Sequence, residues 1–141
     1  MKNEYLNIAL SEAKKAYDLD EIPVGCAIFK DGILISKAHN SKEKSKNSIK
    51  HAEIIAVDKA CRKLNSWRLD DCVMYVTLEP CMMCMGAIIE SRIKNVYYGT
   101  KNNNEQMYDK NKISSFVYTY NVKNEECSEL LSNFFINKRK K

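Results

Sequence analysis

The chain has 141 residues, of which 45% are hydrophobic and 29% charged, and its formal net charge at pH 7 is +5. These values are typical of one soluble globular domain, 1–141, in which a chain of this length buries roughly 68–70% of its unfolded surface. No apolar run is long enough to span a bilayer, and the start MKNEYLNIAL lacks the apolar core of a signal peptide, so we expect a cytoplasmic protein without membrane partners.

The first predicted elements are a helix and a hairpin. A helical period over residues 2–18 predicts an amphipathic helix, whose apolar side comprises Tyr5, Ala9, Ala13, Ala16 and Tyr17. The stretch VGCAIFKDGILISKAH then predicts two strands joined at Asp31-Gly32, a dipeptide suited to a tight hairpin turn. Residues 38–50 are predicted to form a polar loop.

Helices and strands alternate in the rest of the chain. HAEIIAVDKACRKL predicts a helix, the apolar run VMYVTL a third strand covered on both faces, and CMMCMGAIIES a helix opened by Pro80. NVYYG predicts a fourth strand, residues 100–114 a surface loop, SFVYTY a fifth strand, and NEECSELLSNFF a last helix. This order favours an α/β fold with helices on both faces of the sheet and parallel neighbours around the crossovers.

Cys81 and Cys84 lie three residues apart at the predicted start of the helix behind Pro80. This spacing places both thiols on one helix face, and the unpaired amides of the first turn favour the thiolate that a metal requires. The spacing alone fits a redox motif as well as a metal site. The other four cysteines are predicted to be core residues, namely Cys26, Cys61, Cys72 and Cys127.

His51 begins another predicted helix, in the sequence HAE. If both helix starts point to one place, His51, Cys81 and Cys84 supply three ligands and leave a fourth position open, as in catalytic zinc sites. Glu53 would then reach the water at that position and move its proton. Taken singly, these residues also fit a helix-start histidine, an acid opposite a helix dipole and a core cysteine. Together, H-x-E and P-C-x-x-C form the signature of zinc deaminases.

At these residues the sequence resembles the bacterial tRNA adenosine deaminases, which convert the wobble adenosine to inosine. The resemblance covers roughly residues 4–99 and 122–139, and its segments are EIPVG, AHN, HAEIIA, SWRL, YVTLEPCMMCMGA, SRI and LLSNFF. It implies a cytidine-deaminase-like fold of three α-β-α layers with a mixed five-stranded sheet. It also implies a homodimer that acts on a tRNA anticodon stem-loop and draws the target base into a pocket.

The resemblance also implies roles for single residues. His51, Cys81 and Cys84 would hold one Zn2+ per protomer, and Glu53 would carry protons. Asn40 would hydrogen-bond the base, since its amide offers both a donor and an acceptor. Without the resemblance, Asn40 is more simply a turn residue at the end of a strand.

The loop 100–114 departs from the family, which usually has an acidic residue here that contacts the ribose. This chain has KNNNEQMYDKNK, with Asn102 at the acidic position beside Lys101. A neutral amide accepts a weaker hydrogen bond from a 2′-hydroxyl than a carboxylate does. We therefore expect weaker discrimination between RNA and DNA, which makes single-stranded DNA a candidate second substrate.

Aromatic and basic residues lie close together near the C-terminus. Phe134, Phe135 and Arg139, with the basic tail 138–141, are predicted to contact RNA through stacking and phosphate neutralisation. The alternative is a solvated tail, with one of the two phenylalanines in the core. Trp67 and the methionines 82, 83 and 85 are predicted to be packing residues.

Two other functions fit parts of the pattern. A free-base purine deaminase, such as a guanine deaminase, shares HAE and P-C-x-x-C, although SWRL, TLEPC, SRI and the basic tail favour the RNA enzyme. A non-catalytic zinc module that binds nucleic acid is the other alternative. Glu53 argues against it, because a structural zinc site has no use for a carboxylate beside an open coordination position.

Overall fold

A computed structural model describes residues 2–103 and 108–139. The first half contains α1 (Asn3–Asp18), β1 (Gly25–Lys30), β2 (Ile33–His39), α2 (Lys42–Ser45) and α3 (Ala52–Leu64). The second half contains β3 (Cys72–Leu78), α4 (Met82–Glu90), β4 (Asn95–Thr100), α5 (Lys110–Ile113), β5 (Tyr118–Asn121) and α6 (Glu125–Arg139). Within the described ranges, no helix has both the length and the apolar character needed to cross a membrane.

The five strands form one mixed sheet in the order β2-β1-β3-β4-β5. Strand β1 runs antiparallel to β2 and β3, whereas β3, β4 and β5 are parallel. The parallel pairs follow the crossovers that contain α4 and α5, as the alternation of helices and strands predicts. The carboxyl ends of β3 and β4 therefore meet at the same edge of the sheet.

The helices form a layer on each face of the sheet, which confirms the predicted α-β-α architecture. One core lies between the sheet and α3 with α4, and includes Cys26, Ile28, Ala56, Met74, Val76, Met85 and Ile88. The other lies beneath α1, and includes Leu6, Ala9, Ala27, Phe29 and Tyr75. Consecutive residues of β1 alternate between the two cores, as the side-chain period of a strand requires.

Helix α1 approaches the sheet closely because a glycine begins β1. A Cβ atom at Gly25 would overlap the carbonyl oxygen of Ala9 and lie 2.5 Å from the nitrogen of Ala13. Ala9 and Ala13 are fully buried at this contact. The small residues thus fix α1 against the start of β1.

Two predicted loops are partly regular, which corrects the sequence interpretation. Residues 38 and 39 belong to β2, within the strand that the hairpin pattern predicts, and residues 42–45 of the predicted loop form the short helix α2. The distant carboxylate of Glu21 accepts hydrogen bonds from the nitrogens of Glu43 and Lys44, at 2.9 and 2.6 Å. In the loop 100–114, Asp109 caps α5 by accepting from the nitrogen of Asn111 at 2.9 Å. The fifth strand also begins later than SFVYTY predicts, at Tyr118.

Some predicted packing residues are exposed. Trp67 is 61% exposed, and the guanidinium groups of Arg68 and Arg92 lie 5.4 and 5.6 Å from its ring. Met82 is 63% exposed, and only Met85 of the methionine run is fully buried. The predicted core cysteines are buried except Cys61, which is half-buried. Composition could not assign these positions, because burial depends on which side of each helix or turn faces the sheet.

Candidate metal centre and active site

Helices α3 and α4 both begin at the candidate site. His51 is the N-cap residue of α3 and Cys81 that of α4, and neither side chain caps its own helix. Glu53 and Cys84 lie in the first turns of the two helices. Helix α4 begins at Met82, so Pro80 precedes the helix and does not form its first turn. The two helix starts point to one place, as the sequence predicts.

The three predicted ligands lie close together. The Nδ1 atom of His51 is 3.6 Å from the Sγ of Cys81 and 3.5 Å from the Sγ of Cys84. All three ligand atoms lie within 4.8 Å of one another. Tetrahedral zinc, with bonds of about 2.0 Å to nitrogen and about 2.3 Å to sulfur, requires a nitrogen–sulfur separation of about 3.5 Å. The geometry and chemistry of the three donors therefore fit a zinc ion.

The cluster favours negative charge on sulfur. Hydrogen bonds from the Cys84 thiol and from His51 lower the pKa of the Cys81 thiol to about 4. The hydrogen bond with Cys81, ahead of the opposing effect of burial, raises the pKa of His51. Sharing its proton with Cys81, together with burial, raises the pKa of Cys84. The surroundings therefore favour the thiolate form of Cys81, and a divalent cation would supply the charge that a second thiolate needs.

Glu53 is buried beside this cluster, with 4% of its surface exposed. Burial raises the pKa of its carboxyl to about 7, partly opposed by a hydrogen bond from its own backbone amide. A group with this pKa can both accept and release a proton near neutral pH, which suits a general acid and base.

A pocket of about 230 Å³ opens onto the cluster. Ile22, Val24 and Leu78 form its apolar side. Its polar lining comprises Asn40, Lys42, His51, Glu53, Glu79, Cys81 and Asn102. A pocket in which polar groups converge beside an apolar wall is typical of a small-ligand site.

Asn40 lies at the end of β2 and is 6% exposed. Its Nδ2 donates to the Ile22 carbonyl at 3.2 Å, and its Oδ1 accepts from the nitrogen of Lys42 at 3.3 Å. These contacts orient the amide as in a turn residue, yet the side chain also lines the pocket. The two sequence interpretations of Asn40 are therefore compatible.

The other residues predicted to contact the substrate lie in two segments, 101–102 and 134–139. Asn102 lines the pocket, and its backbone nitrogen donates to Glu79 Oε1 at 3.1 Å. Lys101 lines an adjoining groove together with Asn102 and Phe135. The predicted departure in this loop continues into residue 104, which lies outside the described residues.

One of the two C-terminal phenylalanines is in the core, as the alternative interpretation has it, and this corrects the prediction that Phe134 stacks on RNA. Phe134 is 6% exposed and packs edge-on against Tyr17, with ring centroids 5.9 Å apart, so it is a core residue and cannot stack on RNA. Phe135 is 43% exposed on the groove side. Lys138 forms a 2.7 Å ion pair with Asp20, and Arg139 is exposed at the end of α6. Residues 140 and 141 of the basic tail lie outside the described residues.

Sequence reasoning missed the buried acid Glu79 and its partner Lys110. Glu79 is 4% exposed, and its Oε2 lies 2.8 Å from the Lys110 Nζ. One signal was present, because Glu79 follows a buried strand whose carboxyl end lies beside a crossover, and such ends bind ligands in α/β sheets. The pairing with Lys110 could not be inferred, because Lys110 lies 31 residues after Glu79 in the chain.

The chain is similar to known deaminases in both sequence and structure. The chain matches the MafB19-like deaminase family over residues 1–139. It is 43% identical to a tRNA-specific adenosine deaminase of Aquifex aeolicus, over 95% of this chain and 93% of that protein. A solved structure from a study of A-to-I editing by tRNA:A34 deaminases has 31% identity and a TM-score of 0.81, covering 92% of this chain and 100% of that one. The guanine deaminase of Bacillus subtilis has 32% identity and a TM-score of 0.69, covering 99% of this chain and 95% of that one.

Proposed function

The chain belongs to the MafB19-like deaminase family and to the tRNA-specific adenosine deaminases, and from this premise we propose that it deaminates adenosine at the wobble position of a tRNA anticodon. The reaction consumes one water, leaves inosine in the RNA and releases ammonia. The single observation that carries the proposal is the buried carboxyl of Glu53 beside the convergent His51, Cys81 and Cys84.

These three residues would hold one zinc ion per protomer. A zinc ion with three protein ligands lowers the pKa of a water at its fourth position to about 7. The donor separations of 3.5 and 3.6 Å between His51 and the two sulfurs support this assignment. The two helix N-termini add partial positive charge that stabilises the thiolates.

Glu53 performs the proton transfers in this proposal. Its carboxylate accepts a proton from the attacking water, and the resulting carboxylic acid delivers a proton to the departing amino group. Burial, which raises the pKa of this carboxyl to about 7, supports both halves of the task. Proton transfer by a positioned side chain typically contributes 10²–10⁴-fold to a rate.

The pocket supplies the environment for the base. Asn40, oriented by its two backbone contacts, would hydrogen-bond the purine edge, while Ile22 and Val24 contact the ring. Phe135, Lys101 and Arg139 would contact the rest of the anticodon stem-loop. We further propose a homodimer, as the family resemblance implies, and a cytoplasmic location, as expected from the sequence.

A guanine deaminase is the second candidate, because the identity to the Bacillus subtilis guanine deaminase is 32% over 99% of this chain. The 43% identity to the Aquifex aeolicus tRNA-specific adenosine deaminase, over 95% of this chain, favours the RNA substrate.

The decisive experiment incubates the protein with an anticodon stem-loop RNA and with guanine, in separate reactions. Sequencing should reveal an A-to-G change at the wobble position, while ammonia release from guanine stays at the level of the Glu53→Gln control. Ammonia from guanine without RNA editing would replace the proposal by the second candidate. No turnover of either compound, with zinc present, would favour the non-catalytic module.

A further inference from the structure

The dipeptide Glu79-Pro80 contacts residues from two parts of the chain, Asn102 after β4 and Tyr108 with Lys110 at the start of α5. On one side, the backbone nitrogen of Asn102 donates to Glu79 Oε1 at 3.1 Å. On the other, the Lys110 ammonium lies 2.8 Å from Glu79 Oε2, and the Tyr108 hydroxyl donates to the Pro80 carbonyl at 2.9 Å. Glu79 thus engages each of its carboxylate oxygens with a different part of the chain.

The dipeptide lies next to both the candidate metal cluster and the pocket. It directly precedes Cys81, one of the three convergent donors, and Glu79 itself lines the pocket. Asn102 forms part of the same pocket lining. The carboxylate therefore connects a wall of the pocket with the chain segment that leads into the metal cluster.

The burial of Glu79 makes this connection strong. The residue is 4% exposed, and a buried carboxylate must be paired and hydrogen-bonded to remain charged. Hydrogen bonds to an ionised acceptor are roughly twice as strong as neutral ones. Removing one partner leaves a buried charge with fewer contacts, so the carboxylate and its partners depend on one another.

We propose that Glu79 is a positioning residue that, through its hydrogen bond from the Asn102 amide and its ion pair with Lys110, holds Asn102 in the wall of the substrate pocket. The proposal rests on the proposed function for its consequence in turnover. A wall residue that shifts weakens contacts with the bound nucleotide, so its loss raises KM more than it lowers kcat. A structural requirement for Glu79 in the metal centre would instead reduce zinc content and kcat.

The test compares Lys110→Met with Lys112→Met. Both residues lie in α5, and both substitutions remove one positive charge, but only Lys110 pairs with Glu79. Lys110→Arg restores the cation, and Glu79→Gln removes the carboxylate charge while keeping an oxygen that can accept from Asn102. Each variant is assayed for zinc content, for amide hydrogen exchange at Asn102, and for kcat and KM on an anticodon stem-loop.

We expect Lys110→Met and Glu79→Gln to speed exchange at the Asn102 amide about tenfold and to raise KM about tenfold. Zinc content should stay unchanged and kcat should change less than threefold. Lys112→Met should match the native protein, and Lys110→Arg should recover most of the loss. Native exchange rates in both variants would overturn the proposal, as would an equal rise in KM for Lys112→Met or a loss of zinc.

The experiment distinguishes a failure of the proposed deamination from a failure of the Glu79 proposal. If the native protein does not edit the stem-loop, the wobble-adenosine assignment fails, while hydrogen exchange at Asn102 needs no substrate and still decides whether Glu79 holds the wall. If the native protein edits the stem-loop and Lys110→Met leaves KM unchanged, only the inference about Glu79 fails.

Discussion

The candidate metal cluster and the segments proposed to contact the substrate are positioned in different ways. His51, Glu53, Cys81 and Cys84 are set by the starts of two helices, so contacts within a few residues decide where they point. The segments 101–103 and 134–139 depend on distant partners, as in the pairs Glu79–Asn102 and Asp20–Lys138. The proposed chemistry therefore depends on residues at two helix starts, whereas the proposed substrate contacts depend on tertiary partners that can vary independently.

The largest effect should follow from changing a metal ligand. If the cluster holds zinc as proposed, Cys84→Ala should lose most of the metal and all measurable deamination, because two donors bind zinc far more weakly than three. Elemental analysis and ammonia release measure the two losses. Cys61→Ala is the matched control, since this half-buried thiol lies outside the cluster. Full zinc occupancy in Cys84→Ala would remove Cys84 from the site.

The next effect separates proton transfer from metal binding. Glu53→Gln should keep zinc and lower kcat by about 10²–10⁴-fold, the usual contribution of a general acid and base. The exposed Glu90 provides the control variant Glu90→Gln, which should behave like the native protein. Deamination by Glu53→Gln within a few-fold of the native rate would contradict the assignment.

The same substitution has a consequence for stability. Burial raises the pKa of Glu53 from its ordinary 4.5 to about 7, so the unfolded chain releases this proton first and stability falls as pH rises between those values. Glutamine does not titrate, so the Glu53→Gln variant does not lose stability in this way as the pH rises. The metal-free Glu53→Gln variant should therefore melt no lower than the metal-free native protein at pH 8, as measured by calorimetry. A lower melting temperature would mean that the carboxylate stabilises the fold.

A smaller effect concerns the choice between RNA and DNA. A carboxylate at position 102 would accept a charge-assisted hydrogen bond from the ribose 2′-hydroxyl. Asn102→Asp should therefore raise the ratio of RNA to DNA deamination by roughly fivefold, which corresponds to about 1 kcal/mol for one hydrogen bond. Initial rates on matched hairpins measure the ratio. Asn103→Asp adds the same charge one residue away, and an equal change there would mean that Asn102 does not contact the ribose.

The smallest effect concerns the end of α6. Each phosphate contact contributes about 0.7 to the slope of log affinity against log salt for single-stranded nucleic acid. Arg139→Met should reduce the slope by about this amount. Lys138→Met should reduce it less, because Lys138 already pairs with Asp20 at 2.7 Å. Binding titrations at several salt concentrations give both slopes, and a larger change for Lys138 would assign the phosphate contact to that residue.

Most of the fold and the convergence of the three candidate ligands could be predicted from the sequence, because both follow from short-range patterns. Hydrophobic periods fix the long helices and strands, and the motifs lie at helix starts. The errors occur where distant residues decide the structure. Glu21 stabilises α2 from 22 positions away, and Phe134 is buried because α6 packs on Tyr17 of α1. No local pattern distinguishes Phe134 from the exposed Phe135.

Trp67 has a practical consequence for optical measurements. It is the single tryptophan of the chain, it is 61% exposed, and it follows α3 at the end opposite to His51. Its fluorescence will already resemble that of a solvated indole in the folded protein, and unfolding will change it mainly by separating the ring from Arg68 and Arg92. Emission from this chain therefore reports on that surface and not on the metal cluster. An added tryptophan at Phe135, beside the substrate groove, would give ligand titrations a local signal.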